Sequence, residues 1–110
     1  MGDRHFLLAA QIRTTERAAV QVVLADLIPQ SAITTTEEGL HIEGEVEGTS
    51  ARDLNRLLLS AVRRIDRRAT LRAEWTTAGI TERFFDYVPR GVRPAKASSQ
   101  ASPAIPEEDR

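Results

Sequence analysis

Between residues 49 and 68 the apolar positions Ala51, Leu54, Leu57, Leu58, Ala61, Val62 and Ile65 recur at spacings of three and four. This periodicity predicts an α-helix over Thr49 to Arg68 with one apolar face. Ser50 or Thr49 is placed to cap its first turn, and Asp53 adds a carboxylate near the free N–H groups there. Residues 5–13 instead alternate, with Phe6, Leu8, Ala10 and Ile12 on one face and Leu7, Ala9 and Gln11 on the other. Apolar character on both faces predicts a central strand. Residues 16–28 follow as a helix with Ala19, Val20, Val23, Leu24, Leu27 and Ile28 inward, ended by Pro29.

Three more alternating stretches predict strands. Residues 31–36 are Thr-rich and suit a sheet edge. Residues 40–47 turn Leu40, Ile42 and Val46 inward and His41, Glu43, Glu45 and Glu47 outward; Gly44 falls on the inward side, where it would admit a helix side chain. Residues 70–77 place Leu71, Ala73 and Trp75 inward. Ala78-Gly79 is a two-residue turn, and residues 80–88 return antiparallel. The register sets Ala73 against Phe84, Glu74 against Arg83, Arg72 against Phe85 and Thr70 against Tyr87. From Pro89 the pattern dissolves.

The order predicts an α+β fold of the ferredoxin-like split βαβ type (β-α-β-β-α-β) with one appended C-terminal antiparallel strand and two helices on one face of the sheet. The expected division is a single domain over 1–93 and a disordered tail over 94–110, which is rich in Ala, Ser and Pro and ends acidic. The chain's 110 residues make a small core, and a homodimer is expected to supplement it. There is no cysteine, no apolar run of membrane-spanning length and no signal-peptide pattern, so a cytoplasmic location is expected. A net charge of −1 argues against nucleic-acid binding by overall charge. Fourteen of the fifteen basic residues are Arg, a trait of the coding genome rather than of function.

With both helices on one face, the other face of the sheet is bare. Leu7, Ala9, Gln11, Phe85 and Tyr87 are the candidate partner-binding residues there, because a monomer usually avoids such a patch. Arg52, Arg56, Arg63 and Arg67 form a basic helix face able to follow a phosphate backbone or to meet the acidic 37–47 stretch of another copy. No aromatic residue interleaves with these arginines, which disfavours RNA. His41, Glu43 and Glu45 are of metal-ligating type, but alternate side chains on one strand stand parallel, about 6.5–7 Å apart, and do not converge. No Gly-rich phosphate loop and no Ser-His-Asp set occurs, so neither a cofactor nor a catalytic residue is expected.

The helix text Ser50-Ala-Arg-Asp-Leu-Asn-Arg-Leu-Leu-Leu-Ser, within a strand, helix, two strands, helix order over residues 6–68, resembles the small dimer-forming subunit of the KEOPS tRNA-modifying complex. That resemblance implies a dimer. The chain departs from it by continuing into the 70–77 and 80–88 hairpin. The functional expectation is a non-enzymatic interaction or oligomerisation module acting through the open sheet face. The alternatives are a small-molecule-binding or cofactor-free enzyme, which needs a polar group in the core, and an RNA-binding accessory protein using the Arg-rich helix.

Overall fold

A computed structural model of the chain describes residues 4–94. The expected tail from residue 95 onward lies outside the described residues. The elements run β1 (Arg4–Arg13), α1 (Arg17–Leu27), β2 (Ser31–Thr35), β3 (Gly39–Gly48), α2 (Ala51–Ile65), β4 (Thr70–Thr77), β5 (Ile80–Phe85) and β6 (Val88–Pro94). The six strands form one antiparallel sheet in the order β2-β3-β1-β4-β5-β6. Phe6, Leu8, Ala10 and Ile12 of β1, Leu71, Ala73 and Trp75 of β4 and Phe84 of β5 are buried with Val20, Leu24, Leu58 and Val62 from the helices. The core therefore lies between one face of the sheet and both helices. Phe6 and Trp75 meet edge to face, ring centroids 6.5 Å apart.

The predicted register of the β4–β5 hairpin holds from Arg72↔Phe85 to Glu74↔Arg83. The appended part differs from the expectation. It is two strands, not one: β5 stops at Phe85, the chain turns at Asp86 and Tyr87, and β6 returns beside β5 with a bulge opposite Arg83 and Phe84. Asp86 takes a left-handed backbone, φ 57°, and so cannot continue β5. β6 escapes an alternation test because Pro89, the bulge and Gly91 break the period of two.

Helix α2 is shorter than the span predicted over Thr49 to Arg68. Ser50 caps it, its hydroxyl accepting from the Asp53 N–H at 3.1 Å, and the chain leaves the helix at Asp66. Its buried stripe is also rotated from the expected one. Ala51, Leu54, Asn55, Leu58, Leu59 and Val62 are buried, whereas Leu57 and Ile65 are exposed. The close approach expected at Gly44 occurs at Gly48 instead, where a Cβ would fall 2.5 Å from the Leu54 side chain. A Cβ at Gly44 would meet Ser31 of the edge strand, not a helix.

Candidate interaction face

Alternation along the strands settles which side chains share the open face. β1 contributes Leu7, Ala9 and Gln11, because their neighbours Phe6, Leu8, Ala10 and Ile12 are drawn into the core. Cross-strand pairing then orders the face in rows. Glu45, Leu7 and Thr76 lie level, as do Glu43, Ala9, Glu74 and Arg83, and then His41, Gln11, Arg72 and Phe85. Leu7 is 56% exposed in the middle of the face, and Gln11 is exposed while Ala9 is half-buried. Thr76 and Thr81 bridge β4 and β5 by a hydroxyl pair at 2.7 Å.

The charges on this face are unevenly distributed, with glutamates along β3 and arginines gathered around Glu74 on the other side. On the β3 side, Glu43, Glu45 and Glu47 are exposed, and His41 Nε2 lies 3.0 Å from Glu43 Oε2. His5 Nε2 sits 3.3 Å from Glu47. On the opposite side, the guanidinium carbons of Arg72 and Arg90 lie 4.9 and 5.6 Å from the centroid of the Phe85 ring. Arg83 is adjacent, and these residues border a shallow concavity of about 680 Å³ floored by Ala9. Arg90 is an addition to the expected set; it lies on this face because it stands two residues after Val88, the partner of Phe85.

Tyr87 departs from its predicted place. It occupies the β5–β6 turn on the helix side, its ring 5.8 Å below the Arg63 guanidinium, instead of facing out beside Phe85. The Thr70–Tyr87 pairing is absent because the turn intervenes; Leu71 N–H bonds Asp86 Oδ1 at 2.9 Å and Asp86 N–H bonds the Leu71 carbonyl.

The basic helix face also divides. Arg52 and Arg56 are exposed on α2. Arg67 lies beyond the helix, in the turn before β4. Arg63 is committed to the fold: its Nε donates to the Ala69 carbonyl at 2.9 Å and a terminal nitrogen lies 3.3 Å from Asp86 Oδ1.

The inward side of α2, assigned only apolar residues from the sequence, also carries Asn55, 1% exposed. Its Oδ1 accepts from Trp75 Nε1 at 3.2 Å and its Nδ2 donates to the Asp86 carbonyl at 2.6 Å. Asn55 thereby ties helix, central sheet and β5–β6 turn together. Its position between Ala51 and Leu59, each four residues away on the same side of a helix, is the sequence signal for it. Asp66 ties the other end. The Thr14 hydroxyl donates to Asp66 Oδ2 at 2.6 Å and Arg68 N–H to Oδ1 at 3.0 Å. These bonds, the Thr14 one foremost, hold the Asp66 carboxyl below its usual range.

Among the described residues no group of three His, Cys, Asp or Glu is placed to hold a metal ion, and no helix is long and apolar enough to cross a membrane. His41 and Glu43 meet each other rather than converging with Glu45 on a shared point. Compared with known proteins, the chain matches no family model, no curated protein and no solved structure.

Proposed function

We propose that this chain is a non-enzymatic interaction module that docks a protein through the open face of its sheet. The observation that carries this reading is Leu7, 56% exposed at the middle of β1, a strand paired on both sides. An antiparallel sheet can leave one face to water, but that face is then polar along its central strands. Here Leu7 and Ala9 occupy the middle of the face and Phe85 the side nearer the edge. The strand order β2-β3-β1-β4 with two crossover helices supports reading the first four strands as a ferredoxin-like unit, extended by β5 and β6. Asn55 counts against a ligand pocket between sheet and helices, since its amide is used by Trp75 and Asp86. A second reading, nucleic acid along the basic side, draws support from Phe85 between Arg72 and Arg90, an aromatic with guanidinium partners.

The test is the solution mass by light scattering across a concentration series for the wild type and Leu7→Glu. Association that weakens in Leu7→Glu by tenfold or more is the expected result. Association indifferent to Leu7→Glu would place the contact elsewhere and remove this reading.

A further inference from the structure

We infer that the occupant of the open face is a second copy of this chain, packed face to face about a two-fold axis that runs parallel to the strands and passes between β1 and β4. This rests on the docking reading above and adds the partner and its orientation.

The argument is charge complementarity. Viewed across the strands, the face runs from the acidic column of β3 (Glu43, Glu45) through the β1 column of Leu7, Ala9 and Gln11 to a side on which Arg72, Arg83 and Arg90 outnumber the one carboxylate, Glu74, and leave it net basic. A closed dimer with one self-complementary patch needs a two-fold axis. If that axis lay across the strands, β3 would cover β3 and the glutamates would face each other. An axis along the strands reverses the column order and keeps the rows level. It lays β3 over β5 and β1 over β4. Glu43 and Arg83 already share a row, so Glu43 of each copy then stands over Arg83 of the other. Packed sheets lie about 10 Å apart, a gap that one Glu and one Arg side chain span together. The two Leu7 side chains, in the same row on neighbouring columns, meet at the axis, and Ala9 leaves them room.

Edge-to-edge pairing is the competing way to join two such sheets. β6 is unsuited to it, with Pro89 lacking an N–H and a bulge at its centre, and β2 is only five residues long. The face is large enough: the molecule measures 37 by 35 by 23 Å, and a stable interface takes about 800 Å² from each partner.

The experiment mixes two variants. In Glu43→Arg, each homodimer sets two arginines against two; in Arg83→Glu, two glutamates against two. Each variant alone is expected to lose tenfold or more in self-association. Mixed, they restore both contacts, and an equimolar mixture is expected to regain a dimer of wild-type affinity by light scattering, identified as the heterodimer by native mass spectrometry. Circular dichroism checks that each is folded. Should Arg83→Glu unfold through its neighbour Glu74, Arg83→Ser in the mixture retains one attractive contact and still favours the heterodimer. A wild-type dimer weakened by Leu7→Glu but not rebuilt by the mixture overturns the inferred axis and leaves the docking reading standing. A wild type monomeric at all concentrations overturns the second copy. So does a chain that dimerises only once Glu107, Glu108 and Asp109 are replaced by Ala, which gives the basic side to that acidic segment. Single-stranded RNA bound by the monomer and released by Arg83→Glu assigns that side to nucleic acid and overturns it equally.

Discussion

Trp75 is 1% exposed, so its indole N–H must find an acceptor inside the fold, and Asn55 Oδ1 is that acceptor. Asn55→Ala would leave the donor unpaired and open a small void beside it. The expected cost is about 2–3 kcal/mol, or about 10–20 °C in Tm for a domain of this size. A thermal melt shifted by under about 3 °C would mean water takes over the bond. Ala78 presents the opposite case. It holds φ 51° in the turn between β4 and β5, with Gly79 at φ 79°. Left-handed backbone costs alanine more than asparagine or glycine. Ala78→Asn is therefore expected to raise stability by about 0.5–1 kcal/mol, read as a higher urea midpoint at unchanged slope.

At the scale of elements, the joint between the end of β1 and the end of α2 is expected to respond to pH. The Thr14 hydroxyl, then the Arg68 N–H, lower the Asp66 pKa in the folded chain below the unfolded value of 3.8. A depressed carboxylate pKa contributes stability that is complete above the unfolded value and is lost as pH falls through the folded one. Acid titration of Tm should therefore steepen below about pH 4 in the wild type. It should flatten there in Thr14→Val, which removes the largest cause; an unchanged acid limb would show that Asp66 does not couple the two elements. The same elements mark what sequence alone yields. The β4–β5 register was legible because Glu74 and Arg83 fix it and the turn holds two residues. The stripe of α2 was misplaced because a polar residue, Asn55, sits in it, and an apolar count slides toward Leu57 and Ile65. β6 was invisible because an edge strand with exposed side chains needs no apolar alternation. Of the candidate face, β1, β3 and Phe85 followed from alternation, whereas Tyr87 and Arg90 depend on a turn at Asp86 and Tyr87 that no period encodes.

Across the whole molecule, stability should fall from the middle of the sheet to its β6 edge. β1 is hydrogen-bonded to β3 and β4 and sends Phe6, Leu8, Ala10 and Ile12 under the helices. β6 has one paired side, a bulge, and exposed side chains from Val88 to Val92. Opening β6 alone uncovers little apolar core, so its free energy should be well below that of global unfolding. The hairpin beneath it is different, since Phe84 is buried and Asn55 grips the Asp86 carbonyl. Native-state hydrogen exchange should accordingly show β1 and β4 amides exchanging only through global unfolding, and β6 amides bonded to β5 exchanging at least about 100-fold faster. Asn55→Ala should carry the β5 amides toward the β6 rate while β1 and β4 stay the slowest class, because the bond it removes is the one joining the β5–β6 turn to the helix. Uniform exchange across all six strands would instead make the sheet a single cooperative unit, with β6 as integral to it as β1.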